Sequence, residues 1–92
     1  MKHSQYFGGK VQSLELFTTG GDRATVGVIE PGRFTFSTSS EEHIVLVEGT
    51  MKVRLPNADW QTIAKGEHLV VAPNASFDIE AQNHVAYICY YR

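Results

Sequence analysis

The sequence predicts a single all-β domain, built as a small sandwich or barrel. Apolar and polar residues alternate at period 2 along most of the chain. Gly, Pro and Asn interrupt that alternation at short, regular intervals, as turns between short strands do. No window of helical length keeps a 3.6-residue apolar period.

Taken in order, Val11 to Phe17 alternates through Leu14 and Leu16, and Gly20-Gly21-Asp22 turns the chain. Ala24-Thr25-Val26-Gly27-Val28-Ile29 is a β-branched run stopped by Glu30-Pro31-Gly32, a pairing that favours a tight turn. Phe34, Phe36 and Thr38 then alternate with Thr35 and Ser37. Ile44-Val45-Leu46-Val47 and the alternating Met51, Val53 and Leu55 flank Glu48-Gly49, and two runs divided by a glycine predict a hairpin. Lys52 and Arg54 share the face opposite the apolar one. After the loop Pro56-Asn57-Ala58-Asp59, Trp60 to Ile63 predicts a short strand closed by Lys65-Gly66. His68 to Ala72 is apolar and ends at Pro73-Asn74. Phe77, Ile79 and Ala81 alternate with Asp78 and Glu80, and Gln82-Asn83-His84 leads into a last aromatic strand, Val85 to Tyr91. Altogether about eight or nine strands form one domain over residues 1–92, with neither repeat nor linker.

Composition narrows the function. A chain of 92 residues buries only roughly 60–65% of the surface its unfolded form exposes, so a partner subunit would help. Open sheet edges point the same way, to a homodimer. The net charge is −2 without any block of like charge, which gives no footprint for nucleic acid. A small anionic substrate needs only one or two local cations and stays admissible. No stretch approaches the ~20 apolar residues of a membrane span, and Met1 to Tyr6 lacks a signal core, so the cytoplasm is expected. Cys89 is the only cysteine, in the apolar run Val85 to Tyr91, and reads as a buried small hydrophobe rather than a nucleophile.

The order of motifs resembles the pyrimidine/purine nucleoside phosphorylases, a bacterial family of the cupin superfamily. The matching pieces are Tyr6-Phe7-x-Gly9-Lys10-Val11, Arg23-Ala24-Thr25-Val26-Gly27-Val28 and Gly32-x-Phe34-Thr35-Phe36-Ser37-Thr38. Glu42, Gly49, Leu55-Pro56, Asp59-Trp60-Gln61, Gly66-Glu67, Pro73-x-x-Ser76-Phe77 and Ala86-Tyr87-Ile88-Cys89-x-Tyr91 continue it. Each piece is weak alone, and the specificity lies in their shared order and spacing. The resemblance implies a cupin jelly-roll barrel. It further implies phosphorolysis of purine and pyrimidine ribonucleosides to free base and ribose 1-phosphate, with inorganic phosphate as co-substrate.

Many cupins hold a metal through His-x-His, a following Glu and a later His. Set against that frame, Gly32, Gly49 and Gly66 are kept, but Thr38 and Ser40 stand where the two histidines belong. Glu42 keeps the acidic place, and the last histidine's place falls near Phe77 and Asp78. One or two carboxylates and two hydroxyls do not supply the imidazole or thiolate set that a borderline divalent ion wants. No metal and no cofactor beyond phosphate are expected.

Phosphorolysis passes through a cationic sugar beside an anion, so the site needs a cation and hydroxyls for phosphate and a carboxylate for the sugar. Arg23 is the favoured cation, because a guanidinium matches phosphate bidentately. Lys52 and Arg54 rank below it. Glu42 is the candidate carboxylate, and Ser37, Thr38, Ser39 and Ser40 form a hydroxyl cluster beyond Phe36. Phe36 and Tyr87 are candidate walls for a flat base, among Phe34, Trp60 and Phe77. His68 and Tyr90 are conceivable acids toward the leaving base. Two other readings stay open on the residues alone. One is a non-catalytic, metal-free cupin that binds a nucleoside, sugar or sugar phosphate. The other is a metal-dependent cupin oxygenase or isomerase whose ligands align differently, against which the missing His-x-His weighs.

Overall fold

Ten strands follow the punctuation of the sequence in the computed structural model, which describes residues 1–92. They are β1 (His3–Tyr6), β2 (Val11–Phe17), β3 (Arg23–Ile29), β4 (Gly32–Ser37) and β5 (Glu42–Glu48). After these come β6 (Thr50–Arg54), β7 (Gln61–Ala64), β8 (His68–Val71), β9 (Ser76–Ala81) and β10 (Val85–Tyr91). A six-stranded sheet runs β1-β2-β3-β10-β5-β8 and a four-stranded sheet runs β4-β9-β6-β7, with every pairing antiparallel. This is the jelly-roll arrangement: from β3 onward the chain crosses between the sheets at every step but β6 to β7, and the last strand returns to the centre of the larger one.

Strand alternation fills the space between the sheets. Met51 and Val53 on β6 point inward against Leu46 on β5, Val71 on β8, Val11 on β2 and Val85 on β10, all of them essentially inaccessible. Burying each such side chain contributes about 1.5–3 kcal/mol, which lets a single 15-residue cluster hold both sheets together.

Three expectations change. The predicted hairpin across Gly49 does not form: β5 pairs with β10 and β8, while β6 pairs with β9 and β7 in the other sheet. Gly49, at φ 87°, is the corner where the chain leaves one sheet for the other. A Cβ there would lie 2.6 Å from the carbonyl oxygen of His84, so the corner needs glycine twice over. The second change is β1, which the alternation did not predict. His3-Ser4-Gln5-Tyr6 has no apolar face because it is an edge strand supported by β2 alone. Trp60, expected to open a strand, lies one residue before β7.

The two outward faces differ. On the four-stranded sheet, Arg33 meets Glu80 at 2.8 Å and Arg54 meets Asp78 at 2.8 Å across the strands, with Trp60 beneath both guanidinium groups. Lys52 stands opposite Glu80 in the same ladder. The six-stranded sheet instead turns Leu14, Val26, Val28, Val47 and Val70 outward, each more than 40% exposed.

Candidate active site

Between the sheets lies a cavity of about 140 Å³. Its floor is aliphatic and aromatic: Ile29 and Ile44 from the larger sheet, Met51, Phe77 and Ile79 from the smaller. Its polar lining comes from Ser13, Glu42, Tyr87, Cys89 and Tyr91 on the larger sheet and Ser37 on the smaller, with Tyr6 and Phe36 completing the wall. The donors arise from simple alternation on β10, where Tyr87, Cys89 and Tyr91 share the inward face.

Tyr87 lies flat across β3. The register sets it opposite Gly27, and a Cβ at that position would fall 2.5 Å from both Cζ and Oη of the ring. Glycine is required here for close approach. Burial pushes the Tyr87 hydroxyl up to about 12, against the pull of the neighbouring Ser13 hydroxyl, so it stays a donor at neutral pH.

Cys89 is 2% exposed, and its thiol donates to Glu42 Oε1 at 3.5 Å. Burial first, then the Glu42 charge, pushes this thiol up to about 12, which keeps it protonated and inert as a nucleophile. The Glu42 carboxyl is raised by burial, with the Cys89 thiol and the Arg23 charge pulling it back down. A partly buried carboxylate is costly, and a ligand or neighbouring cation offsets that cost.

Arg23 sits at the same end of the barrel. Its register partner is Phe17 on β2, and its guanidinium lies 4.1 Å from the centre of the Tyr91 ring. Tyr91 is in turn paired with Glu42. Arg23 and Glu42 therefore flank one tyrosine on neighbouring strands. The Nε of Arg23 donates to Glu15 Oε2 at 2.6 Å, and the Tyr91 hydroxyl shares a hydrogen bond with Thr25 Oγ1 at 3.0 Å.

Of the residues singled out from sequence, the structure brings Phe36, Ser37, Glu42 and Tyr87 together around the cavity, with Arg23 beside it on Tyr91. It does not bring Thr38 or Ser39 there. The Thr38 hydroxyl donates to Ala72 O at 2.7 Å and accepts from Ala75 N at 3.0 Å, tying down the loop before β9. Ser39 is exposed beyond the end of β4. Lys52, Arg54 and Trp60 belong to the ionic outer face, and His68 and Tyr90 stand at outward positions of the larger sheet. Ser13, Glu15, Thr25, Cys89 and Tyr91 were missed as site residues. The available signal was polar residues at inward parity on β2, where Val11, Ser13 and Glu15 share one face.

Metal chemistry of the kind found in many cupins has little to work with. No group of three or more His, Cys, Asp or Glu side chains comes together, and Glu42 and Cys89 are the only such donors in the cavity. A protonated thiol hydrogen-bonded to a lone carboxyl does not fit a borderline divalent ion.

Two sheets in jelly-roll order around a lined cavity define the class: a cupin-type β-barrel. At the level of fold alone, it matches a putative ethanolamine utilization protein from Salmonella typhimurium, with a TM-score of 0.77 at 16% identity over 92% of this chain and 74% of the other. The particular family comes from the sequence. The pyrimidine/purine nucleoside phosphorylase family model matches residues 1–91, and the chain belongs to that family. A protein named pyrimidine/purine nucleoside phosphorylase from Vibrio cholerae is 40% identical over 90 residues, 97% of this chain and 94% of that protein. One of the same name from Methylobacillus flagellatus is 43% identical over 91 residues, 98% and 88% of the two chains. A crystal structure of a Vibrio parahaemolyticus protein of unknown function superposes with a TM-score of 0.92 at 38% identity, covering 99% of this chain and 97% of the other.

Proposed function

We propose that the chain is a nucleoside phosphorylase that works without a metal, transferring the ribosyl group of purine and pyrimidine nucleosides to inorganic phosphate. A phosphate oxygen bonds to the anomeric carbon as the carbon–nitrogen bond breaks. The electron pair passes to the base nitrogen, which takes up a proton from solvent, leaving free base and ribose 1-phosphate.

The observation that carries this reading is the placing of Arg23 and Glu42 on either side of Tyr91. A guanidinium holds the attacking anion, and a carboxylate faces the positive charge that grows on the sugar. Family membership supports the same chemistry. At about 140 Å³ the cavity is sized for one flat ring system, not for a whole nucleoside. Tolerance of both base classes fits a floor of Ile29, Ile44, Met51, Phe77 and Ile79, which offers shape without groups that read base edges.

The test is purified protein incubated with inosine or uridine, with and without phosphate, then chromatography. Hypoxanthine or uracil released only with phosphate is the expected result, undiminished after exhaustive chelation. No base in either tube, with nucleoside retained on the protein, would make this a binding domain. Activity abolished by chelation and restored by a divalent ion would overturn the metal-free reading.

A homodimer belongs to the same proposal. Its support is the aliphatic outer face of the six-stranded sheet, where Val26, Val28 and Leu14 are 43%, 48% and 46% exposed. The other sheet spends its outer face on ion pairs. A second copy packed face to face across a two-fold axis would cover this surface with the same surface. Light scattering at micromolar concentration should give twice the chain mass, and Val26→Lys with Val28→Lys should give the monomer. A wild-type monomer under those conditions would refute the dimer.

A further inference from the structure

We propose that Glu15 is the positioning residue for Arg23, holding the guanidinium by its Nε and leaving the two terminal nitrogens for an oxyanion. The inference rests on the phosphorylase reading above, and it names a residue that neither the motif order nor the cavity lining brings forward.

Three neighbouring strands fix this guanidinium. Glu15 comes from β2, Arg23 from β3, and the Tyr91 ring beneath from β10. The 2.6 Å bond from Nε to Glu15 Oε2 restrains the in-plane rotation, and the ring 4.1 Å away restrains the tilt. The ring is itself held, because its hydroxyl is bonded to Thr25. Arg54 is also held by a carboxylate and a ring, at Asp78 and Trp60, but there the carboxylate takes Nη2 as well as Nε and the fork is already spent.

The free edge is the informative part. A guanidinium has five N–H donors, and here the protein engages only the one on Nε. Nη1 and Nη2 together form the fork that grips a tetrahedral oxyanion through two parallel bonds. Glu15 is also the more enclosed partner, its side chain 19% exposed against 41% for Arg23. The carboxylate is thus the enclosed partner, and the two terminal nitrogens of the cation keep an open edge. An anion of phosphate's size and charge is the ligand class that this fork takes, with inorganic phosphate as the probe.

Position and charge can be separated. Glu15→Gln keeps an acceptor for Nε and removes the negative charge, whereas Glu15→Ala removes both. Phosphate binding by calorimetry, and KM for phosphate and nucleoside by initial rates, are measured on the full chain. Glu15→Ala should weaken phosphate in both assays by about tenfold and leave the nucleoside KM within about twofold. Glu15→Gln should bind phosphate at least as well as the wild type. Arg23→Lys, which has no Nε to hold, should lose phosphate affinity, and adding Glu15→Ala to it should change nothing further. If Glu15→Ala fails to fold, Glu15→Gln and Arg23→Lys decide the matter: phosphate affinity lost in the first or kept in the second would overturn the role. Unchanged phosphate affinity in Glu15→Ala, equal loss for both substrates, or Glu15→Gln as poor as Glu15→Ala would each overturn the role. Wild-type protein that binds phosphate yet releases no base would sink the phosphorylase reading and leave this one standing.

Discussion

Replacing Glu42 by glutamine should lower kcat about a hundredfold and, at neutral pH, make the protein melt at a higher temperature. The first effect follows from position. Glu42 lines the cavity one strand from Tyr91 and is the cavity's sole carboxylate. In the mechanism proposed above it faces a cation that exists only near the transition state. Removing one preorganised electrostatic partner typically costs about 10²–10³ in kcat, or about 3–4 kcal/mol. The second effect follows from the same burial, which raises the Glu42 carboxyl above its ordinary value. A carboxyl whose folded pKa exceeds its unfolded pKa favours the fold when protonated. Its ionisation therefore costs stability once pH has risen above the folded value, and the cost is relieved as pH falls toward the unfolded value. Glutamine is neutral throughout and still accepts from the Cys89 thiol. The melting advantage of Glu42→Gln should be present near pH 8 and vanish as pH falls through the raised Glu42 value. Scanning calorimetry across that range checks it, and a variant less stable at every pH would deny the burial cost.

The pH–rate profile tests the same group independently. Glu42 must be ionised to meet a sugar cation, so the acid limb of kcat should lie higher than an ordinary carboxylate gives. Arg23 holds Glu42 down through its charge. Arg23→Ala should therefore move that limb further upward, besides weakening phosphate. A limb that ignores Arg23 would place these two residues in separate functions.

The sequence made the strands legible and the site only partly so, for one physical reason. Alternation reveals two faces of a strand without saying which face is inside. On β2 the apolar positions Leu14 and Leu16 attract attention, yet Leu14 points outward and Ser13 is 6% exposed on the inward face. The inversion arises because the cavity spends inward positions on polar groups while the outer face of that sheet is aliphatic. Ser13 and Glu15 were overlooked for this reason. Glu42 and Tyr87, which the motif order picked out, line the cavity, and Arg23, chosen because a guanidinium suits phosphate, lies beside it on Tyr91. The hydroxyl run after Phe36 divided: Ser37 ends β4 at the cavity, and Thr38, on the opposite parity, binds backbone. Gly49 was correctly read as a turn and incorrectly as a hairpin, since a glycine marks a change of direction without naming the strand that is next paired.

Gly27→Ala should cost more activity than stability, although it adds a single methyl group. Gly27 is absent from the residues with positive φ, so alanine's backbone preferences are no obstacle. The obstacle is the Tyr87 ring, whose Cζ and Oη would lie 2.5 Å from the new Cβ. These atoms are the far end of the side chain, so the ring can move away, and the open space available is the 140 Å³ cavity it lines. Overpacking of this kind costs typically about 1–3 kcal/mol, which a folded domain can survive. Filling so small a site is more serious: a displacement of about 1 Å in a positioning group can lose about a hundredfold in rate. Kinetics and thermal melting on Gly27→Ala should show that division. Tyr87→Ala identifies the cause, because the added methyl then has no ring to strike. Gly27→Ala placed on Tyr87→Ala should be almost silent in stability, a coupling that a double-mutant cycle reads directly. Equal destabilisation by Gly27→Ala with and without the tyrosine would mean the ring does not lie over β3. The polar end of the cavity would then have to be assembled from other groups.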